Sequence, residues 1–132
     1  MFLTKLSEQQ KSAFLGIAEV FVKSDGALMK SETDLLSLLK FEMGLEPNAK
    51  GAEGELKKLF AVFNTSSAQK AALFEIIGLG HSDSDYSCVE CKFVRKMAKA
   101  FSICDTDLLW MENWVLRQTA LVREADSFMG GK

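Results

Sequence analysis

Apolar residues recur every three or four positions along most of this chain, with polar residues between them, which is the period of helices packed by one face. From Ser7 to about Lys23 the inward positions are Phe14, Ile17, Ala18 and Phe21, and Ser7 followed by Gln10 is a capping box. A second helix is predicted from about Lys30 to Met43, with Leu35, Leu36, Leu38 and Leu39 as its stripe, stopped by Gly44 and Pro47. The segment AKGAEGELKKLFAVF leads into a third, whose start two glycines weaken. A fourth begins at Ser66 or Ser67 and carries Leu73, Ile76 and Ile77 up to a polar stretch at 80–87. Ser87 with Glu90 is a second capping box, opening a fifth helix through Val89, Phe93, Val94, Met97 and Phe101. The last helix runs from roughly Thr106 to Asp126, and the glycine-rich tail FMGGK is expected to fray. Proline occurs once, at Pro47. The predicted fold class is therefore all-α, a bundle of six or seven helices without a sheet.

The same pattern repeats. Shifted by 58 residues, Ser24-Asp25 falls on Ser82-Asp83 and Glu32 on Glu90, so both copies read S-D-x6-E. Upstream, Leu15, Ala18 and Phe21 align with Leu73, Ile76 and Leu79. Downstream, Leu35, Leu36, Leu39, Met43 and Leu45 align with Phe93, Val94, Met97, Phe101 and Ile103. Asp105 and Glu112 share the acidic spacing, so it is the apolar register on both sides that selects the 58-residue shift. The expected organisation is one domain over residues 1–132, with repeats at about 12–46 and 70–104.

Each copy sets an aspartate at the end of one helix and a glutamate in the first turn of the next. The glutamate suits a helix N-terminus, with its partial positive charge and free N–H groups. The aspartate is repelled by a helix C-terminus and needs a donor or a cation. Two repeats packed about a pseudo-twofold axis bring Asp25, Glu32, Asp83 and Glu90 together, an oxygen-rich set suited to calcium or magnesium. The plainer reading keeps both aspartates as turn residues and both glutamates as helix caps, with no metal. Both readings stand at this point.

The segment IAEVFVKSDGALMKSETDLLSLLKFEMGLEP resembles the repeat of the tellurite-resistance TerB-like proteins, whose signature is an A-x-x-D-G stretch followed by a glutamate. GLGHSDSDYSCVECKFVRKMAKAFSIC is similar to that family's second motif, and the resemblance spans about Ser12 to Trp114. It implies an all-helical bundle with internal pseudo-symmetry and a divalent-metal site at Asp25, Glu32, Asp83 and Glu90. It also implies a role in stress-response or membrane-associated complexes rather than catalysis. The chain departs from the pattern at Ser84, where the first copy has Gly26, so a left-handed turn is dearer there, while Asp85 adds a further oxygen.

Composition narrows the function classes. A net charge of −2 offers no general attraction for nucleic acid or an anionic membrane, so neither is an expected partner. No run nears the ~18 apolar residues of a membrane helix. The opening MFLTKLSEQQKSAF lacks the basic and apolar regions of a signal peptide, and three cysteines are an odd number, so the cytoplasm is the expected compartment. His81, Cys88, Cys91 and Cys104 hold the elements of a zinc site. Cys104 stands alone, however, and Cys88-x2-Cys91 lies in a helix's opening turns, so zinc is the weaker reading. The D-S-D-Y-S stretch is no EF-hand, since Cys88 and Val94 stand where that loop needs glycine and glutamate.

Trp110 and Trp114 share a helix face, with Arg117 three residues on. Burial of both rings is the bland expectation, and an aromatic anchor for a protein partner is the sharper one. With one histidine and no phosphate loop or nucleophile set, an enzyme is not expected. The functional expectation is a non-enzymatic interaction domain with a divalent-cation site, against a purely scaffolding module whose acidic loops only cap helices.

Overall fold

Ser7 opens the first helix as its spacing predicts. Its Oγ accepts from the Gln10 N–H at 3.2 Å while Gln10 Oε1 accepts from the Ser7 N–H at 3.0 Å, which satisfies two donors no helical carbonyl can reach. The computed structural model describes residues 2–24, 30–81 and 88–130, without the side chains of residues 30–32. Among them are a 3-10 turn at Leu3–Lys5 and six α-helices: α1 (Glu8–Lys23), α2 (Lys30–Glu42), α3 (Leu56–Ala61), α4 (Ser66–His81), α5 (Cys88–Ala100) and α6 (Asp105–Phe128). No strand occurs among the described residues, so the chain is an all-α bundle.

Every boundary of α4 and α5 falls 58 residues after its counterpart in α1 and α2. The helix ends agree as well. Past α2, the Gly44 N–H donates to the Phe41 carbonyl at 3.0 Å and the Leu45 N–H to the Lys40 carbonyl at 2.8 Å, with Gly44 at a φ of +73°. Past α5, Ser102 donates to Lys99 at 3.0 Å and Ile103 to Ala98 at 2.9 Å, with Ser102 at a φ of +56°. Both are Schellman caps. The first has the glycine that a left-handed residue favours, and the second lacks it.

α4 lies against α1, α5, α6 and the N-terminal turn, while α1 takes α2 and α3. Phe14, Leu15, Ile17, Leu73, Ile76 and Ile77 are fully buried between them. Aromatic edges tie the two halves of the chain together. Phe21 meets Phe93 at 5.1 Å, and Phe60 and Phe63 meet Phe101 at 5.7 and 5.8 Å. Gly16 and Phe74, equivalent in the 58-residue register, show how the halves differ. A side chain on Gly16 would strike the Ala52 carbonyl, because the 49–54 segment presses onto α1 there, with Ala52 donating to the Ser12 carbonyl at 3.0 Å. Phe74 instead packs against Phe2 and Trp114.

Of the expected core, Phe14, Ala18, Phe21, Leu39, Phe93, Met97 and Phe101 are buried, but Leu35 is only half-buried. Leu38 is 63% exposed, a correction to the predicted stripe: Leu36, Leu39 and Met43 define the inner face, and Leu38 lies well round the helix from it. Val89 is likewise exposed, to one side of the Phe93–Val94–Met97 face. α6 continues through Phe128, two residues past the expected Asp126, before Gly130 takes a positive φ.

Candidate functional site

Asp25, Asp83 and Asp85 lie outside the described residues, as do Ser84 and the side chain of Glu32. What is described is the frame around them. α1 ends at Lys23, capped by Ser24 with its Oγ donating to the Phe21 carbonyl at 2.7 Å, so Asp25 follows a helix C-terminus directly. Glu32 and Glu90 are each the third residue of a helix. Glu90 is buried, one of two polar side chains in that class among the described residues. A buried carboxylate must be compensated by hydrogen bonds or a cation, and the first turn of α5 supplies part of that.

Among the described residues no three His, Cys, Asp or Glu side chains form a metal-holding group. Cys88 and Cys104 are exposed, Cys91 is half-buried, and all three are free thiols. His81, the last residue of α4, has its pKa lowered by burial, against the opposing pull of Glu112 on α6.

The two tryptophans part company. Trp114 is half-buried, 5.2 Å from Phe74 and 5.8 Å from Phe2. Trp110 is 57% exposed, with its ring 6.5 Å from that of Phe74. The expectation that both are core is therefore met only in part by Trp114, half-buried against the core, and is corrected for Trp110. Arg117 is exposed, and the ring contacts of both tryptophans run to Phe2 and Phe74. Beyond Val115 no described residue of α6 is buried, although Leu121, Val122 and Phe128 (92% exposed) continue its apolar positions. At 1.5 Å per residue, roughly 20 Å of helix extends past the last buried contact.

A feature not anticipated from the sequence lies on α5. Phe93, Val94, Met97 and Ala98 face the core, which leaves Lys92, Arg95, Lys96 and Lys99 together on the exposed side. Among the described residues none of the four is ion-paired. They are three or four residues apart in four combinations. Each like-charge neighbour costs about 0.2–0.5 kcal/mol, so the helix bears roughly 1–2 kcal/mol of self-repulsion. Beside them, between α3 and α5, runs a groove of about 570 Å³. Leu56, Phe60 and Ala100 line it together with Lys57, Lys96 and Lys99, and Glu55 at the N-cap of α3 lies on its lining as well. The signal was present as K-x2-R-K-x2-K, but a whole-chain charge of −2 hides it.

No family model matches the chain, and neither a curated protein nor a solved structure does.

Proposed function

We propose that this chain is a non-enzymatic, TerB-like interaction domain whose two acidic loops close on one divalent cation, calcium or magnesium. Asp25, Glu32, Asp83 and Glu90 are its ligands, with Asp85 a further oxygen donor. The observation that carries this reading is the shared register: α1 and α2 recur as α4 and α5 at the shift that superimposes the two S-D-x6-E motifs, down to the same cap at each second helix's end. Four carboxylates held close repel one another, and a cation relieves that repulsion. Protein partners meet the exposed apolar side of α6, where Trp110 stands beside the packed Trp114 and Arg117 follows. The family resemblance adds a stress-response setting, tellurite included. Exposed free thiols at Cys88 and Cys104 accord with the cytoplasm.

A second reading, a scaffolding module with acidic caps and no metal, is favoured by the burial of Glu90 in the first turn of α5. Thermal melts separate the two. If the loops bind a cation, calcium or magnesium at a hundredfold excess over its dissociation constant adds about 2.7 kcal/mol. The double variant Asp25→Asn, Asp83→Asn should abolish that gain. A wild-type melt unmoved by millimolar cation leaves the scaffolding module as the answer.

A further inference from the structure

We propose that the groove between α3 and α5 docks an acidic, amphipathic helical segment of a protein partner. Two properties of this surface select that occupant jointly. Lys57, Lys96 and Lys99 line the groove, Lys92 and Arg95 extend the charge along α5, and none of the five is ion-paired among the described residues. The groove between them is also partly apolar, through Leu56, Phe60 and Ala100. An acidic helix with apolar residues at i and i+3 or i+4 uses both, seating a large side chain in the groove while its carboxylates meet the lysines. The remainder of the chain is net acidic, so its field turns such a partner toward this face and away from others.

Other anionic partners use one property and leave the other idle. A bilayer needs apolar side chains that project beyond the cations, whereas Phe60 is buried at the back of the groove and the lysines stand outermost. Nucleic acid needs cations, and for single strands exposed rings to stack on, but the groove's aromatic ring is packed against Phe101. The proposal involves neither the acidic loops nor α6, so it survives or fails independently of both.

The test uses the full chain and a fluorescent synthetic helix of about 15 residues, four turns, with glutamates on one face and leucines at i, i+4, i+7 and i+11. Anisotropy should show saturable binding, weakened about tenfold or more in Lys96→Glu, Lys99→Glu, a loss of 1.4 kcal/mol per decade. Ala100→Arg keeps the positive charge but fills the groove, and should abolish binding. Both variants alter exposed positions, and their melts verify the fold. Phosphatidylserine vesicles and a short DNA duplex serve as competing anions. Absence of saturable binding overturns the proposal, as does equal affinity for a probe with its leucines changed to alanine. Full binding by Ala100→Arg, or tighter binding of vesicles or duplex than of the peptide, overturns it too.

Discussion

Ser102 holds a left-handed conformation that its 58-residue counterpart, Gly44, adopts without a Cβ. A non-glycine residue there costs about 1–2 kcal/mol, partly offset because glycine loosens the unfolded chain. Ser102→Gly is therefore expected to stabilise the fold by up to about 1 kcal/mol, read as a higher midpoint in urea; an unchanged or lower midpoint would mean that Ser102 carries compensating contacts. His81 yields a second expectation. Its pKa in the fold lies below its ordinary value of 6.5, through burial, so the fold favours the neutral ring. The stability this represents is present above pH 6.5 and is lost as pH falls through the folded value. Wild type should thus lose more melting temperature than His81→Gln between about pH 7.5 and pH 5.5, a window spanning the ordinary imidazole pKa. Parallel losses would show that His81 is not the titrating group. Features of this size were legible in the sequence when their cause was local. The Ser7–Gln10 box and the Gly44 stop depend on a few neighbouring residues. The need for glycine at Gly16 was not legible, because it comes from the Ala52 backbone 36 residues away in the chain.

Helices as units were read well at their starts and ends and less well at their faces. The start of α6 was predicted within one residue and its end within two. No proline or glycine interrupts the helix before Gly130, so the backbone continues even where nothing packs on it. Faces failed where apolar residues exceed what one inner stripe can hold, as at Leu38 and Val89. An isolated period-3.6 pattern says which residues share a side, but not how wide the buried arc is. Since every residue of α6 past Val115 is exposed or half-exposed, its distal half contributes little to the bundle. Ending the chain after Thr119 is expected to lower far-ultraviolet helical signal while shifting stability by no more than about 1 kcal/mol, the scale of exposed-surface changes. A loss of several kcal/mol would mean that the distal half packs on the bundle after all.

At the scale of the whole molecule, the 58-residue spacing was read from long-range apolar register rather than local propensity, and the bounds of α4 and α5 follow those of α1 and α2 at the same spacing. The acidic set was read only as spacing; Asp25, Asp83 and Asp85 fall outside the described residues, and their convergence stands as the proposal made above. How the two halves share a core was not legible at all. Several aromatic pairs lie across the halves: Phe21 with Phe93, Phe60 and Phe63 with Phe101, and Phe2 with Phe74 and Trp114. Each half therefore leaves rings uncovered that the other covers. Chains of about 60 residues bury only ~60% of their unfolded surface, and here each half would also expose the rings that the other covers. Fragments 1–64 and 65–132, cut at the turn between α3 and α4, should each show weak, non-cooperative helical signal. Mixed at equal concentration, they should regain helicity and a cooperative melt that rises with concentration, as mass action requires of an assembled pair. A cooperative melt from either fragment alone would make that half an autonomous unit, and the aromatic pairs would then join two domains rather than complete one core.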